Sequence, residues 1–471
     1  MKKRTLTDIL SAVQGEWIGG PESLEFERIS TDTRSIAKGD LFFALSGERF
    51  DAHSFIRNAA EAGASACVVN ESQLGSIDAA GPLIAVDDTL KALERLAIFH
   101  RNDLSASITA ITGSVGKTST KEFAKTILGR ARRVAAAPKS FNNQLGVALT
   151  LLGAGDETEE LVVELGTSAP GEISHLSSVV RPDRVAITQI APAHLSGLGD
   201  IDGVLNAKSE IFEGLVEGGV SYLCREIGPF EELLSRAPGE VRTYGWERGD
   251  FAVTDCRPLD LDASQEFRAG FQFRIEGEEL VLPVPGRHNV LNATAAIAVA
   301  RDVGLNWETI REGLLECRLP PGRLEVDEVG GVRFVDDAYN SNPASFRSAL
   351  EAFDDVSANG GRRMVVVGDM LELGDESRRF HEEVGRLLSR SSADLVVTLG
   401  EESRYVADAL EDENAEQTVV QRFSQVEDAS AFLGEALSSG DSILFKGSNR
   451  SGVRQVASAL KESMQKRSFL S

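Results

Sequence analysis

The chain has 471 residues, 42% of them apolar, and a formal net charge of −24. That length calls for about two to four domains, and the acidity weighs against nucleic-acid or anionic-membrane partners, which need basic patches, while leaving anionic small ligands open. The cysteines, Cys67, Cys224, Cys256 and Cys317, are scattered without a CxxC or Cys/His metal spacing, so neither a zinc site nor a disulfide framework is indicated.

The opening stretch MKKRTLTDILSAVQGEW is basic, but Asp8, Gln14 and Glu16 interrupt any apolar run behind it, so no signal peptide is expected. No stretch of about 18 apolar residues follows, so no transmembrane helix is expected and the cytoplasm is the expected compartment. Residues 1–85 read as a small α/β unit. DLFFAL (Asp40–Leu45) and ACVV (Ala66–Val69) read as strands, with SFIRNAAEAGA (Ser54–Ala64) as the helix between them.

Over residues 86–318 the strand-like runs SITAIT, LVVEL and RVAITQI alternate with helical segments, the signature of a mostly parallel sheet. The stretch 250–284 looks more antiparallel, and a helix is expected through Asn289–Asp302. RLPPG (Arg318–Gly322) breaks the pattern. Residues 319–471 start afresh with VRFVDD, MVVVGD, DLVVTLG and DSILFKG, each followed by a helical segment. The expected fold class is α/β in three domains, 1–85, 86–318 and 319–471, the last a second doubly wound sheet.

AITGSVGKTSTKEF (Ala110–Phe123) sits where a strand runs into a helix. The usual phosphate loop has four residues between its glycines before Gly-Lys-Ser/Thr; here only Ser114 and Val115 separate Gly113 from Gly116. The elements are nonetheless present. Two glycines turn the backbone and aim N–H groups inward, and a helix N-terminus adds its dipole. Lys117 offers a charge to terminal phosphates, and Thr118, followed by Ser119, offers a hydroxyl to Mg²⁺. The loop alone leaves open an NTP-driven machine or switch and an ATP-driven transferase or ligase. Glu164 ends LVVEL and His194 follows RVAITQI, both at carboxyl ends of parallel strands, where ligands gather. A carboxylate and an imidazole there suit a divalent metal on phosphates, although either residue taken alone more often caps a helix. Lys208, in NAKSEIF, is by itself a solvated helix lysine.

Taken together and in order, TGSVGKTS, NNQLG, ELGT…GEI, ITQIAPAHLSGLG, AKSEIF, GRHNVLNATAAIA, PPGRLEV and DDAYNSNPAS closely resemble the Mur ligases, ATP-dependent amide-forming enzymes of peptidoglycan precursor synthesis. The resemblance spans essentially the whole chain. STDTRSIAKGDLFFALSGERFDAHSF, VVVGDMLELGDES and FKGSNRSGVRQV are similar to the member that joins D-alanyl-D-alanine to UDP-N-acetylmuramoyl-tripeptide, and the Asp-Asn-Pro-Arg run of the preceding ligase is absent. The resemblance implies a small UDP-binding domain, a central ATPase domain and a C-terminal Rossmann-like domain.

It also implies roles. Lys117, Thr118 and Mg²⁺ neutralise the phosphates, and Thr118, Glu164 and His194 hold two metal ions. Lys208 matches a lysine that CO₂ converts to a carbamate. Asn289 and Asn292, three apart on one helix face, match the adenine contact, with His288 a weaker candidate. Arg323 would reach the γ-phosphate when the domains close, and Asp337 would lie near the ribose and phosphates. Asn340 and Asn342 would line the acceptor pocket, unless they only cap the next helix. Thr33, Arg34, Ala44, Leu45, Asp51 and His53 match the uridine diphosphate site, and Asn142 and Asn143 the muramoyl-peptide arm. Phe42 reads as core. A monomer is expected, and domain closure is expected to assemble the site, so that an unliganded form could hold Arg323 and Asp337 away from Lys117.

Two departures stand out: Thr167-Ser168-Ala169-Pro170 replaces the family's frequent Asn-His, and Ala148 stands where many relatives have proline. A ligase adding another amino acid, or a silent UDP-sugar-binding protein on the same scaffold, remain the alternatives.

Overall fold

The computed structural model describes residues 1–47, 50–78, 80–259, 269–357, 360–413 and 418–468; residues 260–268, inside the β-rich stretch, and 48–49, inside Ser30–Phe55, lie outside it. Three main sheets follow one another along the chain. The first orders its five strands Glu16–Ile18, Leu83–Val86, Ala66–Asn70, Leu41–Phe43, Ile29–Ser30. All neighbours are parallel except the pair formed by Glu16–Ile18. Leu41, Phe42, Phe43, Val68 and Val69 are fully buried, as continuous apolar runs covered on both faces require. The expected helix Ser54–Ala64 is shorter, a 3-10 turn at Ala52–Phe55 and an α-helix at Ile56–Glu61. Asp51 imposes the tight start by accepting from the His53 amide at 3.0 Å, and Gly63 follows the last turn at φ +112°.

The central sheet has nine strands, ordered Val134–Ala136, Glu160–Glu164, Ser107–Thr112, Arg184–Ile187, Val220–Cys224, Glu240–Trp246, Phe251–Pro258, Phe271–Ile275 and Glu278–Leu282. The first seven run parallel and the last two pair antiparallel. After Ser107–Thr112 the chain winds to one side, through Glu160–Glu164, and then returns to Arg184–Ile187 on the other. A sheet wound this way opens a crevice at its strands' carboxyl ends where the winding reverses. The loops after Thr112, Glu164 and Ile187 meet there.

Helix Lys117–Leu128 buries Phe123, Ala124, Ile127 and Leu128, and packs on helix His288–Asp302. The latter is buried almost all round, and its run of alanines (Ala293, Ala295, Ala296, Ala298, Ala300) lets the neighbours approach closely. Full burial of a side chain such as Phe123 or Ile127 contributes about 1.5–3 kcal/mol, so the phosphate-loop helix is anchored by its apolar face rather than by its polar N-terminal turn.

The third sheet orders Glu325–Val329, Val332–Asp337, Ser442–Lys446, Arg363–Gly368, Leu395–Leu399, Val419–Phe423, parallel except for the first pair. Glu325–Val329 and Val419–Phe423 are edge strands absent from the sequence reading. Edges carry charged residues that blur the alternation, here Glu325, Asp327, Glu328 and Arg422. One contiguous cluster of buried apolar residues runs from Leu6 to Leu444 through all three sheets, so they pack on one another. Among the described residues no helix is long and apolar enough to cross a membrane.

Candidate active site

The strand Ser107–Thr112 delivers the loop Gly113–Gly116 into the crevice. Gly113 and Gly116 have φ of +145° and +90°. A Cβ on Gly113 would lie 2.1 Å from Thr188 Oγ1, and one on Gly116 2.3 Å from Asn292 Oδ1, so both positions exclude any side chain. The segment after Ile187 clamps the loop. The Ser114 amide donates to the Gln189 carbonyl at 2.7 Å, and the Ser114 hydroxyl donates to the Ala191 carbonyl at 2.8 Å. The shortened spacing is thus a tight, fully supported turn. Lys117 Nζ donates to the Gly113 carbonyl at 2.6 Å, across the mouth of the loop. Desolvation holds its pKa below the usual lysine value, against the opposing pull of Glu164. Gly116→Ala should weaken ATP-analogue binding by roughly tenfold or more, because the strained φ and the Asn292 clash distort the cradle; titration calorimetry checks it.

Thr118, Glu164, Asn142 and Arg323 form one network. The Thr118 hydroxyl donates to Glu164 Oε2 at 2.8 Å and accepts from Arg323 Nη2 at 2.9 Å; Asn142 Nδ2 donates to Glu164 Oε1 at 2.9 Å. Arg323 lies with its guanidinium 4.4 Å over the Tyr339 ring. The structure is therefore closed, with Arg323 and Asp337 lining one cavity with Lys117. Lys208, on helix Ile201–Ser209, is 1% exposed, and its Nζ has no hydrogen-bond partner among the described residues. Desolvation first, and the neighbouring Lys117 second, push its pKa well below the ordinary value. An orphaned buried amine is costly.

Hard oxygen donors at Thr118 and Glu164 suit magnesium, which takes few protein ligands beside phosphate oxygens and waters. The residues therefore fit a magnesium ion brought with a nucleotide. His194 lines the same cavity, its Nδ1 2.6 Å from Glu372 Oε2 in a loop of the third sheet.

The same cavity takes Ser114 through Ser119, His288, Asn289, Asn292, Asp337, Asn340 and Asn342. Asn292 Nδ2 donates to Asn289 Oδ1 at 2.9 Å, and Asn289 Nδ2 to the Pro285 carbonyl at 2.8 Å, so both amides are pinned beneath the loop. Desolvation takes the pKa of His288 down to about 4, so its ring is neutral. Asn342 caps helix Pro343–Val356 through the Ser345 amide, the alternative role foreseen for it.

A second cavity, lined by Leu45, Asn143, Thr167, Glu172 and His175 among others, meets the first at Lys117, Asn142 and His194. Thr33, Arg34, Ala44, Asp51 and His53 line neither cavity. Arg34 is bound to Asp32 at 2.7 Å, and His53 sits between Asp51 at 2.6 Å and the Asn70 amide at 2.9 Å.

Sequence reasoning missed Ser140, Tyr339, Glu372 and Lys446. Lys446 is 2% exposed, pairs with Asp337 at 2.7 Å and donates to the Asn340 carbonyl at 2.7 Å. It ends strand Ser442–Lys446, so the strand-end signal that picked Glu164 would have found it. Ser140 lies 3.0 Å from the Thr118 hydroxyl, in a loop with no local signature.

Family models for the Mur ligase family, catalytic domain, the Mur ligase middle domain, and the Mur ligase, glutamate ligase domain match residues 25–101, 111–300 and 322–449. A UDP-N-acetylmuramoyl-tripeptide–D-alanyl-D-alanine ligase of Bacillus subtilis is 36% identical over 470 residues, covering 98% of this chain and 99% of its own length. A crystal structure of MurF from Acinetobacter baumannii superposes with a TM-score of 0.85 at 32% identity, covering 98% of this chain and 99% of that one. The MurF ligase of Thermotoga maritima in complex with ADP gives 0.78 at 26% identity, covering 93% and 98%.

Proposed function

The chain belongs to the Mur ligase family, and on that premise we propose that it joins D-alanyl-D-alanine to a UDP-N-acetylmuramoyl-tripeptide, with ATP converted to ADP and phosphate. The observation that carries this reading is the meeting of the phosphate loop, Glu164 and His194 of one sheet with Arg323, Asp337 and Lys446 of another around a single cavity that opens into a second. Such an arrangement suits a nucleotide and a carboxylate substrate whose reacting ends must meet.

The tripeptide carboxylate attacks the γ-phosphorus of ATP, the bond to the β-phosphate oxygen breaks, and an acyl phosphate forms with ADP leaving. The dipeptide amine then attacks the carbonyl carbon and loses a proton. The tetrahedral adduct expels phosphate and leaves the amide. Phosphoryl transfer needs positioning and charge neutralisation above all. Lys117 exchanges the Gly113 carbonyl for the terminal phosphates, and Arg323 stabilises charge on the transferred group from the other sheet. Thr118, Glu164 and His194 would hold two magnesium ions, which when bound offset phosphate charge. Lys208 Nζ, desolvated and without a partner, attacks CO₂ as the neutral amine and releases a proton; the carbamate replaces an unpaired amine with an anion facing Lys117. Asn289, Asn292 and Asp337 seat the nucleoside, and Lys446 steadies Asp337 and the Asn340 turn of the acceptor pocket. Asn142 and Asn143 face the muramoyl-peptide arm, and Asn142 also steadies Glu164. The uridine diphosphate falls to residues 1–85, at Thr33, Arg34, Ala44, Leu45, Asp51 and His53, where Arg34 would trade Asp32 for the diphosphate.

The test is product mass after incubation with ATP, each UDP-muramoyl tripeptide (diaminopimelate or lysine form) and either D-alanyl-D-alanine or single amino acids. Gain of the dipeptide less water is expected. Gain of one amino acid identifies a different ligase of the family, and no product from any pair would leave only a binding role.

A further inference from the structure

We propose that Glu372 is a positioning residue that fixes His194 for the reaction and makes that fixing conditional on closure of the third sheet over the central one. This rests on the reading of His194 as a metal ligand given above. Glu372 Oε2 lies 2.6 Å from His194 Nδ1, from 178 residues away in sequence. The contact is doubled by the backbone, where the Ser196 amide donates to the Glu372 carbonyl at 3.3 Å. Two residues on, a Cβ on Gly374 would stand 3.3 Å from Ser196 Cα, so the loops touch closely.

Both ends of the contact have left-handed backbone. His194 has φ +53° and Glu372 φ +67°, left-handed values that are uncommon outside glycine, less so for histidine than for glutamate, and that for Glu372 persist only where the surroundings enforce them. The third sheet does so through the loop after strand Arg363–Gly368. The Met370 amide donates to His381 Nε2 at 3.0 Å, and the Leu371 amide to Ser448 Oγ at 3.0 Å. Asp369 Oδ1 accepts from the Ser403 amide at 2.8 Å. His381 Nδ1 in turn donates to the Ser377 carbonyl at 2.8 Å, leaving Nε2 as the acceptor that Met370 needs. The backbone carrying Glu372 is thus built to project a carboxylate at the central sheet.

A carboxylate on Nδ1 puts the imidazole proton on that nitrogen, leaves the Nε2 lone pair free and fixes the ring's orientation. Because the carboxylate belongs to the other sheet, the ring is held only in the closed form. Closure then does more than bring Arg323 to the phosphates, since it also readies a ligand on the opposite wall.

Two substitutions and two readouts test this. In metal-free protein labelled with ¹⁵N-histidine, His194 (assigned by comparison with His194→Gln) should show the Nδ1–H tautomer, and Glu372→Ala should mix the tautomers. In the complex with a non-hydrolysable ATP analogue, Glu372→Ala should weaken Mn²⁺ binding, read by electron paramagnetic resonance, by roughly 10- to 100-fold, the range typical of lost ligand-orienting partners. Glu372→Gln, whose amide oxygen can still accept from Nδ1, should stay within about threefold on the same scale. A Glu372→Ala protein that keeps wild-type tautomer and Mn²⁺ affinity overturns this proposal alone. Wild-type protein that takes up no Mn²⁺ overturns the metal reading with it.

Discussion

Replacing Lys208 by alanine or methionine should lower amide formation about a thousandfold, roughly 4 kcal/mol of lost transition-state stabilisation, with nucleotide affinity nearly unchanged. Lys208 does not line the nucleotide cavity, so binding should survive. Lys208 is 1% exposed and its Nζ partnerless, so the amine contributes no hydrogen bond to the fold as it stands. Methionine keeps the aliphatic stem and removes the stranded amine, so Lys208→Met should be at least as stable to heat as wild type if the amine goes unmodified. Loss of activity with stability kept separates a chemical role from a structural one. The carbamate reading adds a second expectation. Small carboxylates such as formate or acetate should restore part of the Lys208→Ala rate by occupying the vacated space with an anion. Failure of every such anion would weaken the carbamate assignment.

Arg323→Ala should reduce kcat by about a hundred- to a thousandfold, in the range seen when a charge-stabilising donor is removed, and should change the nucleotide dissociation constant little. Arg323 crosses from the third sheet to donate to Thr118 at 2.9 Å, while the Tyr339 ring fixes its plane at 4.4 Å. That stacking suits a flat guanidinium, so Arg323→Lys should not restore the rate. Single-turnover measurement of ADP formation places the defect. A slow phosphoryl step with normal ATP binding is expected, whereas a normal first step followed by slow amide formation would move Arg323 to the acceptor half of the reaction.

About half of the described strands were legible, most of them because they are short, apolar and followed by a helical period, as in SITAIT before Lys117 or VVVGD before the helix Ser377–Leu388. Glu164 and His194 were legible because parallel strands present their carboxyl ends to one crevice. What escaped was long-range. Glu372 reaches His194 across 178 residues and Lys446 reaches Asp337 across 109, and no local pattern encodes which loops a closed arrangement will press together. Polarity hid the edge strand Glu325–Val329, whose acids Glu325, Asp327 and Glu328 suit a solvent-facing edge but leave no apolar run to read as a strand. Arg34 and His53 show the opposite difficulty. Sequence suggests ligand contacts, while the structure gives each an internal partner, Asp32 for the first and Asp51 with the Asn70 amide for the second.

The central claim is that ATP activates a carboxylate at the junction of the two cavities. It is tested most directly by following ¹⁸O from a tripeptide labelled in its reacting carboxylate. Attack of that carboxylate on the γ-phosphorus requires one labelled oxygen to leave in inorganic phosphate while the other stays in the new amide. Phosphate carrying one ¹⁸O for each amide formed is the result the mechanism predicts. Unlabelled phosphate released alongside the amide product would contradict it.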